Sequence, residues 1–234
     1  MATIATPTGN RLLDSLSPAD FALLEPFLKA VSLSSKDIME KADTPVLAAW
    51  FPLNGIISVV TKSGGGRHIE VGLIGREGMS GISVVMGNAQ SPNDSYVQVE
   101  GSAFRLETGE LRRAMSQSFT LRDKLMRYAQ ALMFQTTQTA MANGSAKIGE
   151  RLARWLLMAQ DRMQRVDLPL THEFLSIMLG VRRPGVTEAL NAMEGRGLIK
   201  ATRGAVRIID RPGIVAWANG CYGIVEAEYE RLML

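Results

Sequence analysis

Residues 168–209 read LPLTHEFLSIMLGVRRPGVTEALNAMEGRGLIKATRGAVRII, and their spacing decides the C-terminal fold. Counting from His172, apolar residues fall at Leu175, Leu179, Val181, Val186 and Ala189. Small Ser176 lies in the first helix and Gly180 at the corner. Two helices that cross closely need a corner residue that tolerates positive φ, so the pattern is that of a helix-turn-helix. Thr171 is the expected N-cap of the first helix. Pro184 suits a first helical turn and pushes the residue before it out of the α region, which makes Arg183 the expected N-cap of the second. Val186, Ala189, Leu190 and Met193 give that helix one buried face, and Gly195 and Gly197 supply its stop signals. Gly185, Thr187, Glu188 and Asn191 lie opposite, beside Arg182 and Arg183. Ile199–Thr202 and Ala205–Ile209 alternate around Arg203-Gly204 and read as a two-stranded wing.

Charge is concentrated in the same place. The chain of 234 residues carries a formal net charge of only +3, yet residues 182–211 hold seven basic residues against three acids. A helix led by paired arginines, beside a basic wing with Arg203 at its turn, fits a major groove flanked by phosphates. The rest of the composition is that of an ordinary globular protein, 46% hydrophobic and 21% charged. A single cysteine, Cys221, excludes an intrachain disulfide and a four-cysteine zinc or iron–sulfur site within one chain. The N-terminal MATIATPTGN lacks a signal-peptide pattern and no apolar run reaches the length of a membrane span, so a cytoplasmic protein without a membrane partner is expected.

Upstream, residues 1–10 read as a loose tail, and Ser17-Pro18 starts a short helix. From about Val31 short β-like runs alternate with turn residues. Trp50–Leu53 precedes Asn54-Gly55, Ile56–Lys62 follows, and Ser63-Gly64-Gly65-Gly66 is a flexible turn before a strand at His68–Ile74. Gly75–Gly81 and Gly87–Asn93 read as loops, and Tyr96–Leu106 as a final strand pair. Many short strands at regular spacing predict a small antiparallel β-barrel or jelly roll. A short helix at Glu110–Met115 and a long one from about Phe119 to Met141 follow. In the long helix Leu121, Leu125, Tyr128 and Leu132 recur at 4-3-4 spacing, a seam expected to pair with a second subunit. Asn143-Gly144-Ser145 is the expected hinge, and a helix with Ile148, Leu152, Trp155, Leu156, Ala159 and Met163 on its apolar side bridges to the helix-turn-helix.

This order resembles the Crp/Fnr family, the cyclic-AMP-receptor-like transcription regulators of bacteria. The resemblance is carried by TPVLAAWFPLNGIISVV, by KIGERLARWLLMAQDR and, most specifically, by THEFLSIMLGVRRPGVTEALNAMEGRGLI. It implies an α+β chain with an N-terminal antiparallel β-barrel or jelly roll of the cyclic-nucleotide-binding kind, a long dimerisation helix and a C-terminal winged helix-turn-helix. The corresponding divisions are a tail at 1–10, a sensor domain at 11–115, a dimerisation helix at 116–142 and a DNA-binding domain at 143–234. It further implies a homodimer that reads a near-palindromic double-stranded DNA site with the helix from about Pro184 to Glu194, contacts RNA polymerase, and is no enzyme.

Carried over by position, the family's Arg, Glu and second Arg of the reading helix correspond to Arg183, Pro184 and Glu188. Arg183 keeps the geometry for bidentate contact with a guanine edge. Pro184 cannot make the family's glutamate contact and Glu188 reverses the expected charge, so Arg183, Thr187 and Glu188 would define a different site. Thr171, Arg182 and Gly185 match positions that hold phosphates through a hydroxyl, a cation and a free backbone N–H. Cyclic-nucleotide binders use a Gly-Glu pair and an Arg-Ser pair. In GREGMSGISVVMGNAQSPNDSYVQV these become Gly81-Ile82 and Asn93-Asp94, and Asp94 would repel a phosphate. No cofactor is expected, cyclic nucleotide included, and the effector, if there is one, is left unnamed. His68 and His172 are the only histidines, too few for a metal-dependent barrel enzyme and poorly placed as haem ligands. The alternative reading is a small-molecule-binding barrel whose helical C-terminal domain mediates protein interaction.

Overall fold

A computed structural model describes residues 7–62, 68–163 and 165–233. The tail residues 1–6 and the expected turn at Ser63-Gly64-Gly65-Gly66 lie outside the described residues. Residues 7–10 are not loose. Asn10 is fully buried, and its amide donates to Pro52 O at 2.8 Å and Gly78 O at 2.9 Å. Its side-chain oxygen caps α1 (Arg11–Asp14) through Leu13 N–H. Ser17 then caps α2 (Pro18–Leu24), with Pro18 in the first turn as expected.

The N-terminal domain is built on one antiparallel sheet of β1 (Lys29–Leu33), β2 (Ile38–Glu40), β3 (Ala48–Lys62), β4 (His68–Ile74) and β5 (Asp94–Glu107). Its order is β1-β5-β3-β4, with β2 also on β5. Two strands expected as pairs are single. Tyr96–Leu106 belongs to the fourteen-residue β5, and Asn54-Gly55 is no hairpin turn but a register shift inside the fifteen-residue β3. Gly55 has φ +85°, and a Cβ there would lie 2.6 Å from Val99 O, while one at Gly101 would strike the Asn54 carbonyl. The bulge bends both strands without ending either. A short α3 (Ile82–Val85) interrupts the expected loops.

Two helices pack on this sheet. α4 (Thr108–Gln117) leads into α5 (Phe119–Ser145), whose N-cap Ser118 accepts from Leu121 N–H. The seam expected to meet a second subunit is covered by the chain itself. Leu121 and Leu125 are completely buried and Tyr128 nearly so, in one cluster with Phe51, Met79 and Leu111. Tyr128 donates to Met79 O at 3.2 Å, and Gln135 clamps β4 by accepting from Leu73 N–H and donating to Leu73 O. Spacing fixes an apolar face but not what covers it. The helix also runs through the expected hinge at Asn143-Gly144-Ser145 and breaks at Ala146, which is extended at ψ 150°.

After that break come α6 (Ile148–Met163), β6 (Asp167–Leu168), α7 (His172–Leu179), α8 (Arg183–Gly195), β7 (Ile199–Thr202), β8 (Ala205–Ile208), α9 (Arg211–Trp217) and α10 (Ile224–Met233). One hydrophobic cluster unites Ile56, Leu73 and Val99 of the sheet with α6, α7, α8 and the wing, so the two domains share a core. α10 returns to the first domain, where Leu232 and Met233 enter its cluster. Among the described residues no helix is long and apolar enough to cross a membrane.

The glycines of the 72–81 segment serve close packing. A Cβ at Gly75 would lie 2.5 Å from Arg162 Cβ, and one at Gly78 would overlap the Tyr128 hydroxyl. Gly109, in α4, has open space around it. Gly78→Ala is therefore expected to destabilise the chain by about 1–3 kcal/mol. Gly109→Ala should be neutral or stabilise by up to about 1 kcal/mol. Urea unfolding of both variants checks the contrast.

Candidate nucleic-acid interface

The helix-turn-helix forms as its turn chemistry dictates. Thr171 Oγ1 accepts from Phe174 N–H at 3.1 Å and caps α7. Gly180 ends the helix in the left-handed region at φ 62° and ψ 34°. The N-cap of α8 is Arg182, at φ −75° and ψ 144°, one residue before the expected Arg183, which is instead the first helical residue ahead of Pro184. Leu175, Leu179, Val186, Leu190 and Met193 are buried in the common core. Arg151 of α6 donates to the Leu179 carbonyl, so the corner is tied to the helix beneath it. The wing is the expected hairpin with Gly204 at φ +81°. β6, absent from the expectation, adds a third strand against β8.

The candidate DNA-reading residues differ in availability. Arg182, Arg183 and Glu188 are exposed at the leading part of α8. Thr187 is half-buried: its hydroxyl donates to Arg183 O at 3.2 Å and lies 2.9 Å from His172 Nδ1. Gly185 departs from expectation. Its N–H is donated to Arg182 O at 3.0 Å and is not free for a phosphate, and its Cα faces Ile148, where a Cβ would come within 3.0 Å. Thr171 is exposed, with its hydroxyl engaged in the cap.

The cations also sort themselves. Arg207 is paired bidentately with Asp167 at 2.8 and 2.6 Å. Arg211 binds Asp161 and Tyr222, and Arg196 lies 4.7 Å over the Trp217 ring. Among the described residues, Arg182, Arg183, Lys200 and Arg203 of this region take part in no ion pair. Two of them lead α8 and two lie on the wing, all exposed. These four exposed cations are left open to an anionic partner.

Residues 150–217 match the family described as the Crp-like helix-turn-helix domain. This segment is a Crp-like helix-turn-helix domain. The Crp-like domain thus takes in α6 and ends at α9, leaving α10 as an extension. Over 81–92% of its length the chain shares the fold of three solved structures. It resembles the structure of FixK2 from Bradyrhizobium japonicum (TM-score 0.71, 14% identity, 81% of this chain and 96% of that one). It also resembles a transcriptional regulator of the crp/fnr family from Eubacterium rectale (TM-score 0.67, 18% identity, 92% and 100%). A third likeness is to TTHB099, a CRP-family transcriptional regulator from Thermus thermophilus (TM-score 0.66, 18% identity, 81% and 97%). No curated protein matches the chain by sequence.

Between the sheet and α5 lies a cavity of about 160 Å³, lined in part by Glu40, Gly72, Gly81, Ile82, Asn93 and Leu132. Among the described residues no lysine or arginine lines it. The Gly81 N–H is occupied by the Glu40 carboxylate at 2.8 Å. Asp94, expected beside a phosphate, points elsewhere. It accepts from Ala42 N–H at 2.8 Å and pairs with Lys62, and these contacts hold its carboxyl below the usual range. Arg76 lies outside this cavity and lines a different one, with Arg11 and Tyr229.

The junction between sheet and Crp-like domain centres on Glu70. This nearly buried carboxylate accepts from Ser58 Oγ at 2.5 Å and from Trp155 Nε1 at 2.7 Å. Trp155 meets Phe174 edge to face at 5.2 Å. Burial pushes Glu70 up to about 7, against the two hydrogen bonds and the charges of Arg154 and Arg162. The sequence reading overlooked this residue, although the period-2 alternation of β4 puts Glu70 on one face with Gly72 and Ile74. An acid whose pKa is raised on folding favours the folded state below its unfolded pKa. That contribution fades as pH rises from about 4.5 to about 7. Glu70→Gln is expected to remove a pH-dependent loss of about 3 kcal/mol over that window. Urea midpoints of both proteins from pH 5 to pH 8 check the difference.

Proposed function

We propose that the chain is a DNA-binding transcription regulator of the Crp/Fnr type that reads a near-palindromic double-stranded site as a homodimer. The observation that carries this reading is the exposed leading part of α8 within a Crp-like domain, flanked by cations free of ion pairs. Arg183 is the base-reading residue, with Glu188 beside it. Thr187 acts through a hydroxyl oriented by His172. Arg182 and the wing residue Arg203 face the phosphates, and Thr171 stands at the start of α7. RNA polymerase is the further partner proposed. The chain acts without chemistry of its own.

Dimerisation is proposed through the outer face of α5, not the expected seam. Phe119, Met126 and Met133 are 73%, 45% and 60% exposed and recur every seven residues, the repeat of a two-helix contact. Cyclic nucleotide is not the proposed effector, since among the described residues the cavity on the sheet side of α5 offers a carboxylate and no cation to a phosphate.

Two measurements test this reading. Selection of random duplexes with purified protein should enrich a palindromic motif. Arg183→Ala should then lose about 1–3 kcal/mol on that motif and relax preference at one position per half-site. A uniform loss on every sequence would make Arg183 a phosphate contact. Met126→Asp with Met133→Asp should halve the mass seen by light scattering while leaving the fold intact. Leu125→Asp should unfold the chain instead.

A further inference from the structure

A cleft of about 1270 Å³ lies between the sheet and the helix-turn-helix. Its walls come from both domains: Ile38, Ile69 and Tyr96 from the sheet, Ile148 and Ile177 from helices and Val181 from the turn between α7 and α8. Ile38 is 69% exposed and Ile177 is 44% exposed. Exposed branched apolar residues contributed to one concavity by two domains mark a surface built to be covered.

Lys36, Lys41, Lys62 and Arg182 bring positive charge to the cleft, and among the described residues lining it the one acid is Asp94, already paired with Lys62. Lys36, Lys41 and Arg182 form no ion pair among the described residues.

We propose that this cleft binds a small amphipathic anion, an apolar chain ending in a carboxylate-type head group. The isoleucines take the chain and the lysines with Arg182 take the head. A DNA duplex does not suit the place, being convex and highly charged, with nothing to offer apolar walls inside a concavity. Binding of the anion stands independently of the DNA reading. One consequence rests on that reading: Arg182 serves both ligands, so an occupied cleft lowers DNA affinity.

The test uses the full chain and the fluorescent fatty acid 11-(dansylamino)undecanoic acid, in the absence of DNA. Saturable fluorescence enhancement is expected, reversed by dodecanoate and not by dodecyltrimethylammonium. Ile38→Asp and Ile177→Asp, both at exposed positions, should each weaken the probe by about tenfold or more. Leu47→Asp, at an exposed leucine outside the cleft, should bind as the unaltered chain does, and thermal melting confirms that each variant is folded. Absence of saturable binding overturns the proposal, as do unchanged affinity in both isoleucine variants and equal displacement by the cation. If Lys36→Glu and Lys41→Glu weaken a duplex but not the probe, the cleft rim is a DNA surface and the proposal fails. Dodecanoate should also weaken binding of the selected duplex by the unaltered chain. A lack of that effect, with probe binding intact, removes the competition and leaves the site.

Discussion

α6 has no solvent face over most of its length: ten of its sixteen residues are buried. Everything else is arranged around that helix, since the sheet packs on it from one side and α7, α8 and α9 from the other. Two of its polar anchors sit at buried positions, where an unpaired group is costly. Trp155 spends its one N–H on Glu70, and Arg162 lies 2.8 Å from Glu77. Burial works against the charge on Arg162, and Glu77 overrides it so that the guanidinium stays firmly protonated. Such pairs add little net stability compared with apolar packing, but they penalise any arrangement that separates the partners. The sheet and the helix-turn-helix are therefore held in one relative position by chemistry as well as by packing.

A second restraint closes the structure from the other end. α10 lies beyond the Crp-like domain and returns to the first domain. Tyr229 donates to Glu77 O at 2.6 Å, and Lys124 of α5 donates to Met233 O at 2.7 Å. Glu77 thus receives α6 through its side chain and α10 through its carbonyl. Its loop is shaped for this by Gly75 and Gly78, which let Arg162 and Tyr128 approach more closely than any side chain would allow. A shift in this short loop would be felt by α5, α6 and α10 together.

How much of this the sequence made legible follows from the range of each interaction. The helix-turn-helix and wing were readable from 171–208 because caps, prolines, left-handed glycines and apolar spacing are local signals. β4 was equally plain. Asn54-Gly55 was not, because a hairpin turn and a bulge demand the same left-handed backbone, and only the partner strand β5 distinguishes them. The seam of α5 was read correctly as a face but given the wrong neighbour, since spacing carries no information on whether a sheet of the same chain covers it. Asn143-Gly144-Ser145 looked like a break by propensity, a weak prior that the preceding turns of α5 outweigh. β6 and the return of α10 depend on contacts between residues far apart in sequence, and no local pattern announces them; for Glu70 the alternation of β4 gives the face but not the Trp155 partner.

The candidate interface shows the same division between what charge counting reveals and what geometry adds. Seven basic residues suggested one broad cationic patch. The structure withdraws Arg207 and Arg211 into ion pairs and Arg196 onto an indole, and each contact braces an element: wing to β6, α9 to α6, the end of α8 to α9. The remaining cations gather at two places, the start of α8 and the wing. For the proposed role of binding a regular array of phosphates, fewer cations held at fixed positions serve better than many that are free, because ordering a long side chain at the moment of binding costs entropy. The same reasoning gives His172 its part. By holding the Thr187 hydroxyl it orders a side chain on α8 before any partner arrives, so a residue poorly placed as a haem ligand is a support for the proposed reading surface.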